Sequence, residues 1–148
     1  MDTVKIGIVD DHRIFRNGYK SLIENYPAKS GGVHYAITLE AENGQDLIQK
    51  LKNIEPPGII ILDINMPEMD GYETIDWLKK NYPEEKIIIL TMFSDIDNVV
   101  KMLKKGANAF LTKNASPEEM VGALESVRNG GLYFTKEINN ELSNILSR

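Results

Sequence analysis

Cysteine is absent from all 148 residues. That excludes disulfide scaffolds, thiolate metal sites and cysteine nucleophiles, and it fits a reducing, cytoplasmic setting. Histidine occurs only as His12 and His34. Lone histidines rarely signal a metal site or a phosphorelay, and His12 reads as a polar rim or helix-start residue. No apolar stretch approaches the roughly 20 residues that a membrane span needs. Strand-like sequence begins almost at the first residue, so no signal peptide is expected. Basic patches are missing too: the formal net charge is −5, whereas nucleic-acid binders carry clustered Lys and Arg. Alone, this chain is a poor DNA binder. Internal repeats and low-complexity segments are likewise lacking. Hydrophobic residues at 42% and charged residues at 26% are ordinary for a globular chain, and the length suits one domain with a real core.

What the chain does have is four apolar runs that each end in a polar residue. Lys5-Ile6-Gly7-Ile8-Val9 leads to Asp10-Asp11, and Gly58-Ile59-Ile60-Ile61-Leu62 leads to Asp63. Lys86-Ile87-Ile88-Ile89-Leu90 leads to Thr91, and Ala109-Phe110-Leu111-Thr112 leads to Lys113. Short runs rich in Ile and Val with helical patterns between them read as parallel strands buried on both faces. Ligands of open parallel sheets bind beyond the carboxyl ends of the strands. Three carboxylates, a hydroxyl and an ammonium therefore converge on one rim, which suits a hard divalent cation and a phosphoryl group.

Between the runs the period changes to that of helices. Ile14, Phe15, Gly18, Leu22 and Ile23 fall near one helical face, which Pro27 ends. Ala28 to Gly32 reads as a flexible loop and Val33 to Ala41 as a second strand. Asn43-Gly44 opens a helix carrying Leu47, Ile48 and Leu51. Met66 to Gly71 is a loop before a helix with Ile75, Trp77 and Leu78. Ser94 or Asp95 can cap a helix that runs through Lys105, and Gly106 is placed to stop it in a left-handed conformation. Ser116-Pro117-Glu118-Glu119 is a helix start, followed by Met120, Ala123, Leu124 and Val127. Five βα units joined by right-handed crossovers predict a three-layer α/β sandwich over residues 1–131. Residues 132–148 carry a short stripe, Ile138, Leu142, Ile145 and Leu146, suited to a packing helix or to the start of a linker.

At the rim, Asp10 and Asp11 repel each other and a third carboxylate, a strain that bound Mg2+ relieves through oxygen ligands. The alternative for the pair is capping of the helix that follows. Asp63, held by the strand before it, is placed to attack phosphorus and form an aspartyl phosphate. Thr91 offers a hydroxyl to a phosphoryl oxygen, unless it is an ordinary β-branched strand residue. Lys113 offers an ammonium, unless it is a solvated loop lysine.

These residues, together with Leu62-Asp63-Ile64-Asn65-Met66-Pro67-Glu68-Met69-Asp70-Gly71, resemble the receiver domain of bacterial two-component response regulators. The likeness runs from about Val4 to Gly131. Within that family, Asp11-His12-Arg13-Ile14-Phe15-Arg16-Asn17-Gly18 and Lys113 to Glu119 resemble the LuxR/NarL-type class. The resemblance implies a flavodoxin-like (βα)5 fold with strand order 2-1-3-4-5, and a phosphoacceptor switch with only limited self-catalysis. A sensor histidine kinase would phosphorylate Asp63. Asp10, Asp11, Asp63 and the backbone carbonyl of Asn65 would hold Mg2+ or Mn2+, with Asp10 acting largely through water. Thr91 and Lys113 would bind the phosphoryl oxygens, and Phe110 would change rotamer with Thr91. The resemblance leaves room for homodimerisation on phosphorylation, with Met120, Leu124 and Val127 as a candidate face, burial in the core being the alternative for some of them. DNA would be met only through an output domain absent from this chain, and no membrane is involved.

The sequence departs from that family at three places. Asn114 follows Lys113 where many relatives have proline with a cis peptide, which is costly without proline. Met92 follows Thr91 where many have a small residue, and so would narrow access to the phosphoryl group. The loop from Pro27 to His34 is longer than usual and expected to be mobile. Four other readings compete. A haloacid-dehalogenase-like phosphatase needs an acid two residues after its nucleophile, where this chain has Asn65. A cobalamin-binding module needs glycine where Phe15 stands, and a flavin-binding module needs a phosphate loop where Asp10-Asp11 would repel it. A scaffold with a vestigial site would not retain the full set of acids, Thr91 and Lys113.

Overall fold

The computed structural model describes residues 2–26, 32–92 and 96–147. The expected cap at Ser94 or Asp95 and most of the loop expected after Pro27 lie outside these residues. Six strands and six helices alternate: β1 (Thr3–Val9), α1 (Arg13–Asn25), β2 (His34–Ala41), α2 (Gly44–Leu51), β3 (Gly58–Asp63) and α3 (Gly71–Asn81) come first. They are followed by β4 (Lys86–Thr91), α4 (Ile96–Lys104), β5 (Ala109–Thr112), α5 (Pro117–Arg128), β6 (Tyr133–Phe134) and α6 (Lys136–Leu146). All pairings are parallel, in the order β2-β1-β3-β4-β5-β6. The expected five-strand order is present and one short strand extends it.

Alternation along the central strands divides the core in two. Ile60, Leu62, Ile87, Ile89 and Phe110 face α2, α3, α4 and α6 through Leu47, Leu51, Ile75, Leu78, Val99, Met102 and Ile138. Ile59, Ile61, Ile88, Leu90 and Leu111 face α1 and α5 through Tyr19, Ile23, Met120, Leu124 and Val127. Both faces being covered, these strands can be almost wholly aliphatic. Sheet growth explains the layers. Passing from β1 to β2 the chain crosses one face through α1, and moving back across the sheet it uses the other face through α2, α3 and α4. Both directions then have the usual right hand. The β5–α5–β6 step moves on in the same direction as β3–α3–β4, yet α5 lies on the α1 face. That crossover therefore has the opposite hand, and its second strand is only two residues long.

Local signals place the helices. Ser116 and Glu119 form a reciprocal capping box around Pro117 at the start of α5. Gly106 has φ 101° at the end of α4, and the Ala107 and Gly106 amides donate to the Met102 and Leu103 carbonyls at 3.0 Å each. That is a Schellman stop, and it needs glycine's left-handed freedom.

Two expectations are corrected. Ile14 is 86% exposed and Gly18 is exposed too, because the inward face of α1 runs through Phe15, Tyr19, Leu22 and Ile23, with Arg16 also buried. Ile14 lies about 100° around the helix from Phe15. Met120, Leu124 and Val127, offered as a dimer face, are all fully inside the core and present nothing to a second chain.

Residues beyond 131 continue the fold. Phe134 stacks on Phe110 with centroids 5.7 Å apart and planes 6° apart. Thr135 caps α6, and Ile138 is fully buried. Truncating that side chain leaves a hole in the core layer that also holds Phe110, so Ile138→Ala is expected to lower unfolding free energy by about 2–5 kcal/mol. Urea denaturation followed by circular dichroism measures it, and a midpoint unchanged from wild type would mean that α6 is not part of the cooperative unit.

Candidate functional site

Strand register decides what meets at the rim. Val9 pairs with Leu62, so Asp10 emerges beside Asp63. Asp63 pairs with Leu90 and Thr91 with Thr112, which brings Thr91 and then Lys113 to the same edge. After Asp63 the chain folds back tightly: the Gly71 amide donates to the Ile64 carbonyl at 2.8 Å. A Cβ on Gly71 would sit 2.6 Å from the Asp63 carbonyl oxygen and 2.7 Å from Ile64 Cα, so only glycine allows this approach. Asp70 then caps α3 by accepting from the Glu73 amide at 3.0 Å.

Lys113 stands at the centre. Its Nζ lies 3.0 Å from Asp10 Oδ2 and 3.1 Å from Asp63 Oδ2, and all three side chains are buried. Asp10 Oδ1 accepts the His12 amide at 2.9 Å, and Asp10's own carbonyl accepts from Arg16 at 2.5 Å. The Tyr19 hydroxyl donates to the Lys113 carbonyl at 3.0 Å. Burial pushes the Asp63 carboxyl above its ordinary range, and the Asp10 charge pushes the same way, while Lys113 pulls it down.

One ammonium does not neutralise this cluster. Ligand atoms of Asp10, Asp11, His12 and Asp63 all lie within 4.8 Å of one another. Asp11 Oδ1 is buried without a hydrogen bond, and Asp10 Oδ2 meets Lys113 by charge without hydrogen-bond geometry. Carboxylate oxygens short of partners, with surplus negative charge, fit a hard cation such as Mg2+.

The structure thus brings Asp10, Asp11, Asp63 and Lys113 together, and it places Thr91, buried, at the neighbouring strand end. The Lys113 amide donates to the Thr91 carbonyl at 2.8 Å. Asn65 is exposed in the loop, and its amide approaches Asp63 Oδ1 at 3.4 Å. Phe110 lies wholly inside, against Phe134. His12 is the N-cap residue of α1, although its side chain makes no cap bond; its Nδ1 sits 3.2 Å from Asp10 and 3.3 Å from Asp11. No cis peptide occurs among the described residues, the Lys113–Asn114 bond included. Met92 is 55% exposed and, with Phe15, Lys113 and Asn114, rims a cleft of about 210 Å³.

Three participants were not singled out from sequence: Arg16, Phe15 as a neighbour of Lys113, and Tyr19. The signal for them was the spacing 12, 15–16, 19, which is one face of a helix that begins at the rim.

A five-stranded parallel core with three aspartates, two of them buried, and a buried lysine at one rim is the architecture of a receiver. The profile of the response regulator receiver domain matches residues 6–125, and the chain belongs to that family. It is 29% identical over 139 residues to the transcriptional regulatory protein DegU of Brevibacillus brevis, covering 94% of this chain and 56% of that one. The nitrate/nitrite response regulator protein NarL of Escherichia coli (strain K12) is 31% identical over 131 residues, covering 88% and 57%. A two-component response regulator of the LuxR family from Aurantimonas sp. SI85-9A1 superposes with TM-score 0.89 at 28% identity, covering 99% of this chain and 100% of that one. The likeness is to the LuxR/NarL-type class. The chain spans little more than half the length of the curated DegU and NarL relatives. No helix among the described residues is long and apolar enough to cross a membrane.

The raised Asp63 carboxyl has a signed consequence. The folded state holds this proton more tightly than the unfolded chain, so its contribution favours folding below the ordinary carboxylate value of 3.8. That contribution is lost as pH rises through the higher folded value. At pH 7 the ionised Asp63 therefore weakens the fold. Asp63→Asn is expected to be more stable than wild type at pH 7, with the gap narrowing as pH falls towards 4. Urea midpoints at the two pH values measure this, and a variant less stable than wild type at pH 7 would refute it.

Proposed function

We propose that this chain is a Mg2+-dependent phosphoacceptor switch in which Asp63 receives a phosphoryl group from the phosphohistidine of a sensor histidine kinase. The observation that carries the reading is the buried Asp63 carboxylate, with Lys113 Nζ 3.1 Å from one oxygen and the Asp10 and Asp11 oxygens within 4.8 Å. An Asp63 oxygen attacks phosphorus, the P–N bond to the kinase imidazole breaks, and the ring nitrogen keeps the electron pair. Asp10, Asp11, Asp63 and the Asn65 carbonyl are the residues that would hold the ion, Asp10 largely through water. When bound, Mg2+ (or Mn2+) neutralises charge on the transferring oxygens. Lys113 moves its ammonium from carboxylate to phosphoryl oxygen, and Thr91 donates its hydroxyl to another. Movement of Thr91 towards the phosphoryl group favours the inward setting that Phe110 already has here, and the surface around α4 and β5 changes with it.

The switch works in the cytoplasm and turns over little by itself. The names of its relatives support control of transcription. In the same reading DNA is contacted through a part of the protein beyond this chain, and homodimerisation follows phosphorylation. The phosphatase reading has no support at the rim, since Asn65 occupies the place of its second acid.

Incubation with acetyl phosphate and Mg2+ is expected to add one phosphoryl group to wild type and none to Asp63→Asn, read by intact mass. An adduct that persists in Asp63→Asn would remove Asp63 as acceptor. Asp11→Ala is expected to weaken Mg2+ binding by about tenfold or more in calorimetric titration, and undiminished affinity would rule out its ligand role.

A further inference from the structure

We propose that Phe15 and Tyr19 of α1 are positioning residues that hold Lys113 at both of its ends, ammonium and carbonyl. The proposal rests on the phosphoacceptor reading for its functional consequence, though not for its geometry.

The Lys113 side chain is 3% exposed, so water solvates almost none of its charge. An ammonium has three donor hydrogens. Asp63 accepts from it at 3.1 Å, the Asp10 carboxylate lies 3.0 Å away as an ion pair, and His12 Nδ1 is 3.4 Å away. Another side of the ammonium looks onto the Phe15 ring, with Nζ 4.6 Å from its centroid. The negative face of a ring attracts a cation more strongly once both are out of water. At the other end of the residue, the Tyr19 hydroxyl donates to the Lys113 carbonyl at 3.0 Å. Burial and the charges of Asp10 and Asp63 push the Tyr19 hydroxyl well above the usual phenol range, which keeps it protonated and able to donate.

The two rings act together. They are four residues apart on one helix face, and they stack with centroids 6.2 Å apart and planes 21° apart. The chain near Lys113 needs such a brace. β5 is only four residues long, and Asn114 leaves the following backbone without proline's fixed φ. Held this way, the ammonium bridges Asp10 and Asp63 before the phosphoryl group arrives, so little reorganisation remains when charge develops there.

A packing role alone makes a different forecast. If Phe15 merely filled space, Leu would be tolerated and the larger Trp would not. If its π face holds the ammonium, Trp substitutes for it and Leu does not. We therefore compare Phe15→Leu, Phe15→Trp and Tyr19→Phe in the full chain, checking first that each melts cooperatively. Two measurements follow. One is the ring-current displacement of the Lys113 ε-methylene protons by NMR, without any phosphoryl donor. The other is the rate of phosphorylation by acetyl phosphate with Mg2+, read by intact mass.

Phe15→Leu is expected to abolish the upfield displacement and slow phosphorylation about three- to tenfold, while Phe15→Trp keeps both near wild type. Tyr19→Phe keeps the ring stack and loses the hydroxyl, so it slows phosphorylation and leaves most of the displacement. Retention of the displacement in Phe15→Leu, or a wild-type rate in Phe15→Leu beside a damaged Phe15→Trp, overturns the proposal. A wild-type chain that takes up no phosphoryl group counts against the phosphoacceptor reading, and the proton displacement still decides where Lys113 is held.

Discussion

Two buried carboxylates, Asp10 and Asp63, share one ammonium, and the rest of the rim is arranged around that imbalance. Burial, and then their like charges, raise the energy of the ionised site, as the upward push on Asp63 records. Lys113 relieves part of it, 3.0 Å from one and 3.1 Å from the other. Buried charges are tolerated only where partners and hydrogen bonds meet them, and here the partners come from every side. Arg16 holds the Asp10 carbonyl, the His12 amide holds its carboxylate, and Tyr19 holds Lys113 from behind. The aliphatic strands below serve this purpose too. Close packing lets no residue drift, so separations between charges are set by register rather than by flexible side chains.

Sequence alone carried the strand ends, because each apolar run stops at the residue that reaches the rim. Parallel strands of similar length must end together, so Asp10, Asp63, Thr91 and Lys113 converge without any knowledge of side-chain contacts. Helix starts were legible where capping chemistry is local, as at Ser116 to Glu119. What could not be read was orientation that depends on neighbours. Ile14 is apolar yet exposed, and Arg16 is charged yet buried. The inward stripe of α1 is chosen by its contact with β1, β2 and α5, and by a carbonyl at the rim that needs a donor. Periodicity contains neither fact.

β6 was illegible for a different reason. Two residues show no alternation, and its crossover runs against the hand that the other four obey. It is held by its surroundings. Phe134 has a ring to stack on, the Thr135 amide donates to the Phe110 carbonyl at 3.3 Å, and Ile138 fills the core behind. The same lesson applies to α5. Met120, Leu124 and Val127 form an apolar stripe that sequence offers equally to the core or to a second chain, and the sheet takes it.

The stack of Phe110 on Phe134 also joins two quantities that would otherwise be separate. The seating of β6 and α6 and the setting of the Phe110 ring draw on one shared contact. By thermodynamic reciprocity, whatever favours one arrangement of the ring favours the matching arrangement of the tail by the same free energy. Displacing the Phe134 ring strips packing from Phe110, and displacing Phe110 strips it from Phe134. The short edge strand and the buried ring of β5 rest on one shared face.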